Sequence, residues 1–462
     1  MDAQCKKLLS AVSLAILCAI SLYSQSPTPS EPVDKDEEET TLFPHSKTSP
    51  IWISGQINLI HQQHAAFHAR YTGENSLKPF REKATSRLLT LYTGVQLTRS
   101  TELLFDVESA GGRGISDALG LAGFTNLDVV RNPTLGSRPY LARLMLHQTI
   151  ALSREQVEVE RDFLSLDTEK PEKRLEIRFG KLSLADFFDV NSVGSDSRFQ
   201  FMNWTTDNNG AYDYAADTRG YTYGGLVEYQ NPIWGIRFGE ALMPKVANGI
   251  KLDWNLRRAR AESLEVELHP SRSPNRSSTV RFLSYVNHAN MGSYREAIDA
   301  FLQHRDPAPD IEGHRREGRV KYGFGFNAEQ QLTDQIRIYT RVGWNEGHHE
   351  SFAYTEVNSS AAVGGDIRGK AWRRARDKIG IAWVHNSISG DHRRYLELGG
   401  KGFLLGDGTL TYGHEKILEA YYAARLRRGV SASIDLQYIA NPGYNRDRGP
   451  VVIPGLRLHI EF

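Results

Sequence analysis

Hydrophobic and polar residues alternate with a period of two from residue 51 to the end of the chain. Near the C-terminus, Leu456 and Leu458 alternate with Arg457 and His459. Successive side chains of a β-strand point to opposite faces, so this pattern predicts strands with one apolar and one polar face. Clusters of Gly, Asn, Asp and Pro separate the segments. The same alternation occurs at 174–179, 264–269, 319–326, 336–344 and 433–438.

Two settings produce such strands, a soluble sandwich and an outer-membrane barrel with a wet lumen. Three features favour the barrel. The chain ends on Phe462 after a strand of nearly regular alternation, no linker interrupts the pattern after residue 51, and aromatic residues occur at strand ends. A closed barrel also leaves no unpaired strand edge in hydrocarbon. These aromatic residues are Trp234, Trp344, Trp383, Tyr412 and Tyr438.

The length of the alternating region sets the number of strands. Residues 51–462 allow about 16 strands, at roughly 25 residues for each strand with its connection, and 18 would also fit. We therefore predict an all-β fold, a closed antiparallel transmembrane β-barrel whose aqueous channel is open unless loops or side chains fill it.

The N-terminal region differs in character from the rest. Two lysines precede the apolar stretch 8–20, which predicts a cleaved signal peptide over residues 1–24. Both cysteines of the chain lie within it, so the mature protein is expected to have no disulfide. Residues 25–50 contain several prolines and an acidic run without apolar periodicity, which predicts a flexible periplasmic leader.

Composition removes two classes of protein. The 56 Lys and Arg residues nearly balance the 55 Asp and Glu residues, and no basic block is present, so nucleic-acid binding is not expected. A mean hydropathy of -0.45 is too polar for a membrane protein built from several spanning helices.

Several stretches, in order along the chain, resemble the carbohydrate-selective porins of the OprB-like family. The resemblance implies passive diffusion of sugars through a barrel of 16 strands in the outer membrane of a Gram-negative bacterium, with no cofactor and no catalysis. One departure is the charge-dense stretch 295–319, which predicts a short helix in an external loop. The stretches that carry the resemblance are YTGENSL (71–77), GLAGF (120–124), GKLSLADFFDVN (180–191), FMNWTTDNNGAYDYAADTRGYTYG (201–224), GWNEGHHESFAYTEV (343–357), YLELGGKGFLLGDG (395–408), EAYYAARL (419–426) and LQYIANPGYNRDRGPVVIPGLRLHIEF (436–462).

Segment 183–219 is the main candidate for sugar selectivity. Its 37 residues are too many for an ordinary hairpin turn, and they interleave aromatic with charged side chains. We predict that the segment folds inward and narrows the channel. The alternative is that its aromatic rings pack against the wall while its charges pair with one another. The candidate sugar-contacting residues are Asp186, Asp189, Arg198, Trp204, Asp213, Asp217 and Arg219.

Inward-facing residues of the wall are a second candidate. They carry both signs of charge, which suits a neutral polyol, whereas a purely basic ring would favour anions. The alternative is that they keep the lumen wet and hold neighbouring strands together by salt bridges. The predicted lumen-lining residues are Glu176, Arg178, Arg337, Tyr339, Arg341 and Glu419.

Other chemical signals are weak. His61 would face away from His64 on a strand, so no metal site is predicted. The stretch 364–370 lacks the Ser or Thr that a phosphate-binding loop places next, and the chain contains no G-x-S-x-G nucleophile motif.

The expected partners are neutral mono- or oligosaccharides, outer-membrane lipid and lipopolysaccharide, and the barrel-assembly machinery acting on Phe462. The sequence leaves open whether three copies associate as a homotrimer. An alternative function is an outer-membrane barrel that binds or exports polysaccharide, with its loops closing the pore.

Overall fold

The computed structural model describes residues 41–129, 135–273 and 276–462. The predicted signal peptide and the predicted leader up to residue 40 lie outside these residues. None of the helices in the described part of the chain is long and apolar enough to cross a membrane.

Strands dominate the described residues. Sixteen of them form one closed barrel, and β5 and β6 form a small separate hairpin. The strands are β1 (Ile51–His64), β2 (Glu82–Thr98), β3 (Thr101–Gly112), β4 (Tyr140–Ala151), β5 (Gln156–Glu158), β6 (Glu169–Pro171), β7 (Arg174–Leu182), β8 (Thr222–Gln230), β9 (Trp234–Leu242), β10 (Arg260–Ser271), β11 (Ser278–Gly292), β12 (Arg315–Gln331), β13 (Ile336–Asn345), β14 (Ser359–Gly369), β15 (Arg374–Ser387), β16 (Glu415–Arg427), β17 (Val430–Ala440) and β18 (Val451–Glu461).

Each barrel strand pairs antiparallel with its neighbours in the sequence, and β4 pairs with β7 across the small hairpin. The barrel closes where β1 pairs with β18, with Leu59 opposite Leu458. The prediction of a closed antiparallel barrel with 16 strands is therefore confirmed.

The two faces of the strands differ as the alternation predicts. Leu456 is 56% exposed on the outer surface, whereas the next residue, Arg457, is 2% exposed and points inward. The outward Trp234, Trp344 and Trp383 are likewise exposed. A row of large apolar side chains on the outer surface is expected where the surroundings are lipid rather than water.

Within the described residues, three α-helices lie in the connections. They are α1 (Trp204–Asp207), α2 (Tyr294–Leu302) and α3 (Gly390–Glu397), and shorter 3-10 turns cover Ile115–Ala118, Leu184–Asp186, Lys370–Trp372 and Pro442–Tyr444. Helix α2 is the helix predicted in the charge-dense stretch, and the hydroxyl of Ser293 caps it by accepting from the Glu296 N–H.

The two rims of the barrel carry different connections. Phe462 exchanges backbone hydrogen bonds with Gly55 near the start of β1, so the end of the last strand and the start of the first lie at one rim. Most turns at this rim are short, whereas the connections at the other rim are long. In outer-membrane barrels the short turns face the periplasm, which assigns the long connections to the external side.

Residues 41–50 lie along the periplasmic rim. The Leu42 N–H donates to the Glu461 carbonyl at 2.8 Å, and the Arg428 guanidinium donates to the Thr41 carbonyl at 2.7 Å. This end of the predicted leader is thus hydrogen-bonded to the barrel.

Candidate functional site

Residues 183–219, here called the inserted segment, lie inside the barrel. The connection leaves the external end of β7, and its side chains are mostly buried although no second protein layer surrounds the barrel. Helix α1 lies within it, and the Asn203 side chain caps this short helix by accepting from the Thr205 N–H. Buried hydrogen bonds then connect the segment to inward-facing residues of several strands.

Arg341 of β13 holds the middle of the inserted segment. Its guanidinium donates to the carbonyls of Asp189 at 3.0 Å and Asp207 at 2.9 Å, and to the Ser195 hydroxyl at 2.8 Å. It also pairs with the Asp189 carboxylate at 3.3 Å. The neighbouring Tyr339 donates its hydroxyl proton to another carbonyl of the segment. A buried cation is stable only when it is paired and hydrogen-bonded in this way.

Two other strands anchor the segment through its backbone. The Glu419 carboxylate accepts from the N–H groups of Met202 at 2.6 Å and Asn203 at 3.0 Å. The Arg457 guanidinium donates to the Gln200 carbonyl at 2.7 Å. These contacts fix the segment against β16 and β18.

Asp213 joins the inserted segment to an external loop. Its carboxylate accepts from the N–H groups of Phe352 at 2.8 Å and Ala353 at 2.9 Å, and it pairs with the Lys321 ammonium at 3.0 Å. Residue 354 follows directly, so Asp213 helps to set the position of the Tyr354 ring.

An open space remains between the inserted segment and the wall of β2, β3 and β4. We call it the channel cavity, and its volume is about 190 Å³. Three connections contribute to it, namely the inserted segment and the loops before β4 and β14. Its charged and aromatic lining residues are Glu108, Asp128, Tyr140, Asp186, Arg198, Trp204, Asp207, Tyr214, Arg219, Tyr221 and Tyr354.

Three aromatic rings lie nearly parallel at one side of the channel cavity. The Trp204 and Tyr354 rings stack at 4.6 Å, and Tyr214 lies 6.0 Å from Tyr354. Tyr354 has a φ of 53°, a left-handed conformation that is unfavourable for a bulky residue. The hydrogen bond of 2.9 Å from its hydroxyl to the Asp217 carbonyl helps to hold it there. Such strain tends to occur at functional positions.

Charged groups also line the channel cavity, and two of them have close partners. Arg198 donates to the Asp128 carboxylate at 2.6 Å and to the Gln56 amide oxygen at 3.0 Å. The Arg219 guanidinium lies 3.7 Å from the centre of the Tyr140 ring. The cavity therefore presents hydrogen-bonding groups without an excess of unpaired cations.

The surroundings of Asp207, a lining residue of the inserted segment, shift the pKa of its carboxyl. Burial raises the pKa of Asp207 well above its usual range, although the nearby Arg341 opposes the shift. Burial therefore makes the charged form of the Asp207 carboxyl less favourable.

The structure brings four of the seven predicted sugar-contacting residues to the channel cavity. These are Asp186, Arg198, Trp204 and Arg219. The other three, Asp189, Asp213 and Asp217, instead hold the inserted segment and its neighbouring loop in place.

The predicted wall residues occupy the inner face but lie outside the lining of the channel cavity. Tyr339, Arg341 and Glu419 contact the inserted segment, as described above. Arg337 donates to the Asp366 carboxylate of the adjacent strand, and Arg178 donates to Glu176 and to Glu228. The sugar-contacting roles of both sets stay predictions.

Several lining residues are absent from the sequence-based prediction. Glu108, Tyr140 and Tyr221 come from strands or strand ends, and Asp128 from the loop before β4. Tyr221 and Tyr354 lie in stretches that carried the resemblance, at 201–224 and 343–357. Among the residues that the structure describes, no group of three His, Cys, Asp or Glu side chains is placed to hold a metal ion.

Comparison with known proteins gives one family. Residues 74–462 match the family model described as "Carbohydrate-selective porin, OprB family". No curated protein matches the chain.

A solved structure shows the same fold at low sequence identity. The high-pH structure of Pseudomonas putida OprB is 14% identical with a TM-score of 0.67, and the match covers 89% of this chain and 94% of that one. The outer membrane channel DcaP of Acinetobacter baumannii is 9% identical with a TM-score of 0.48, over 89% and 97% of the two chains.

Proposed function

The chain belongs to the carbohydrate-selective porin, OprB family, and we propose from this premise that neutral mono- or oligosaccharides cross it at the channel cavity. As a member of this family it is a passive sugar channel of the bacterial outer membrane. The finer proposal concerns which sugars pass and which side chains they meet. The proposal is supported mainly by one observation: stacked aromatic rings and paired charged groups line the same narrow cavity.

The aromatic side of the cavity suits the apolar faces of a pyranose ring. The rings of Trp204, Tyr214 and Tyr354 lie nearly parallel to one another, and all three line the cavity. Aromatic rings offer a large apolar area at low conformational cost, because few torsions need to be fixed. A sugar that slides along this surface would be oriented without being held tightly.

The charged lining residues suit the hydroxyl groups. A selective pore has to replace water around the solute with donors and acceptors, yet bind weakly enough for release. Arg198 and Arg219 supply donors, and Glu108 and Asp186 supply acceptors. Because Arg198 is paired with Asp128, its charge is partly compensated, which favours a neutral solute over an anion.

We extend the proposal to location and partners. The exposed apolar row would contact lipid and lipopolysaccharide in the outer membrane of a Gram-negative bacterium, with the barrel acting alone or as a homotrimer. Phe462, the last residue of the closing strand, would be recognised by the barrel-assembly machinery. The channel would work by diffusion alone, without catalysis.

Current recordings on the purified protein in planar bilayers test the proposal. We expect stable open channels whose current is reduced by a neutral monosaccharide at millimolar concentration, and less by the corresponding sugar phosphate. Stronger block by the phosphate would contradict selection for neutral sugars. Closed channels that still bind glycans would instead support a barrel that binds or exports polysaccharide.

A further inference from the structure

The connection between β4 and β7 differs from every other turn at its rim. Residues 152–173, here called the periplasmic hairpin, contain β5 and β6, whereas the other six strand-to-strand connections at this rim have two to six residues. Long connections in compact barrels usually have a function of their own. Neither the channel cavity nor the inserted segment accounts for this one.

The tip of the periplasmic hairpin lies inside the barrel. Leu166 is 2% exposed and packs against the inner faces of β2 and β3, at Gly94 and Leu104. A Cβ on Gly94 would lie 2.7 Å from the Leu166 side chain, so the glycine makes room for the leucine. The Leu166 N–H also donates to the Glu102 carboxylate at 3.0 Å. The tip is therefore docked on the wall of the lumen.

The tip extends well above the rim. Phe163 stacks on Tyr92 at 5.2 Å, and Tyr92 lies six residues inside the end of β2, roughly 20 Å along the strand. The Tyr92 ring in turn stacks on Trp52 at 6.3 Å, nearer the rim. A row of three rings thus runs from the periplasmic opening into the lumen.

This row reaches the inserted segment through one residue. The Arg143 guanidinium lies 5.0 Å from the centre of the Phe163 ring, and it pairs with Asp106 of the wall and with Asp186 of the inserted segment. Asp186 also lines the channel cavity. The inserted segment and the periplasmic hairpin therefore meet at Arg143, one above the other along the same wall.

The base of the periplasmic hairpin is fixed as well. Arg161 donates to the carbonyls of Ser46 at 2.6 Å and Ser49 at 2.9 Å, in the stretch that runs along the rim. The Lys170 ammonium donates to the Glu176 carboxylate at 3.3 Å. The hairpin is held both at its tip and at its base, as an element that narrows a passage must be.

We infer that the periplasmic hairpin forms a second constriction below the channel cavity, where a sugar crosses the partly exposed rings of Phe163 and Tyr92 before release. The inference rests on the proposed function, because it takes sugars to be the solute. Pyranose faces are the chemistry that such rings recognise, and weak contact would leave the solute free to exit. The constriction would limit the size of sugars that pass.

Shortening the tip tests the inference without disturbing the barrel ladder. Replacing residues 159–168 by Asn-Gly keeps β5 and β6, because Glu158 pairs with Glu169 and a two-residue turn can close that pair. We expect the single-channel conductance to rise by about twofold or more, and liposomes to swell faster in a trisaccharide. Unchanged conductance and unchanged size selectivity in a folded, heat-modifiable barrel would overturn the inference.

A point variant covers the case in which the shortened protein fails to assemble. Phe163→Ala should weaken block of the current by a monosaccharide by about threefold, through loss of one ring contact. Phe324→Ala is the matched control, because Phe324 is 56% exposed on the outer surface and should leave block unchanged. Equal block in wild type and Phe163→Ala would contradict the inference.

The two proposals fail in different ways. If sugars do not block the wild-type channel, the proposed function fails. If they block it but both hairpin variants behave like wild type, the second constriction alone fails.

Discussion

The inner wall of the barrel has two sides that carry the same kinds of residue but differ in what those residues contact. On the side of β10 to β18, Arg341, Glu419 and Arg457 are covered by the inserted segment and hydrogen-bond to its backbone. On the side of β2 to β4, Glu108 and Tyr140 border the channel cavity. The difference is set by what covers each wall. The covered residues hydrogen-bond to the backbone of the inserted segment, whereas Glu108 and Tyr140 hydrogen-bond to each other and border open space.

This difference separates structural from transport effects of substitution. Residues on the covered side should change stability first and conduction only as a consequence. Residues on the open side should change sugar binding or ion selectivity while the barrel remains folded. Variants on the two sides can therefore test whether the division is real.

The largest expected effect is at Arg341. Arg341→Ala removes the cation that pairs with the buried Asp189 carboxylate and the donor to several carbonyls, which should lower the free energy of unfolding by about 3–5 kcal/mol. Denaturant unfolding in detergent measures this, and single-channel conductance should rise as the inserted segment loosens. Arg316→Ala is the control, because Arg316 is exposed and its pair with Glu296 should contribute about 0–1 kcal/mol. If both variants lost the same free energy of unfolding, the hydrogen bonds of Arg341 to the inserted segment would have no special role in stability.

The fold was predictable because its signal is local. Each strand shows its two faces in its own residues, as Leu456 and Arg457 do, and closure follows from strand number and chain length. The length of the connection after β7 and its aromatic and charged composition predicted a place for Trp204 and Arg198 in the lumen. That their predicted contacts with sugar are made stays a prediction.

The rest of the site depends on which parts of the chain meet. Asp189 and Asp213 have the same residue type as Asp186, and only their partners, Arg341 and Lys321, make them anchors. Tyr354 is brought to the cavity from more than a hundred residues away by Asp213 and Asp217. The hydrophobic periodicity of a single segment does not predict such contacts between residues that are distant in the sequence.

Among the residues that line the channel cavity, Trp204→Ala is expected to have the largest effect. Loss of the ring that stacks on Tyr354 should weaken sugar block of the current by about threefold to tenfold. Because Trp204 is only 7% exposed, the lost packing should also lower the free energy of unfolding, but the barrel should still fold. Trp344→Ala offers a matched control, because that ring is exposed on the outer surface. An unchanged rate of liposome swelling with Trp204→Ala would mean that the stacked rings do not contact the solute.

A smaller effect on ion selectivity is expected at Arg198. Arg198→Gln leaves the Asp128 carboxylate without its cation, so the cavity becomes more negative. The ratio of cation to anion permeability should rise by about twofold, measured as a reversal potential in a salt gradient. Arg295→Gln, which removes an exposed external cation paired with Asp391, should leave the ratio unchanged. A shift of equal size in both would assign the effect to overall charge rather than to the cavity.

The smallest predicted effect concerns pH at the periplasmic hairpin. Burial, followed by repulsion from Glu102, raises the pKa of Asp167 to about 7, although Lys170 and His147 oppose the shift and Arg161 lies nearby. The folded state favours the protonated form of the Asp167 carboxyl, whereas the unfolded chain does not. The free energy of unfolding therefore falls as the pH rises from about 4, the usual pKa of an Asp side chain, to about 7. The docked tip should therefore loosen over this range and stay loosened above it.

Conductance recorded at pH 5 and pH 8 measures this loosening. We expect an increase of less than about twofold at the higher pH in wild type, and no increase in Asp167→Asn, which keeps the shape of the side chain without its charge. Asp334→Asn, on an exposed turn of the same rim, should behave like wild type. If Asp167→Asn retained the full pH dependence, the titrating group would have to lie elsewhere in the lumen. Loosening of the tip at Asp167 would then not explain the change in conductance.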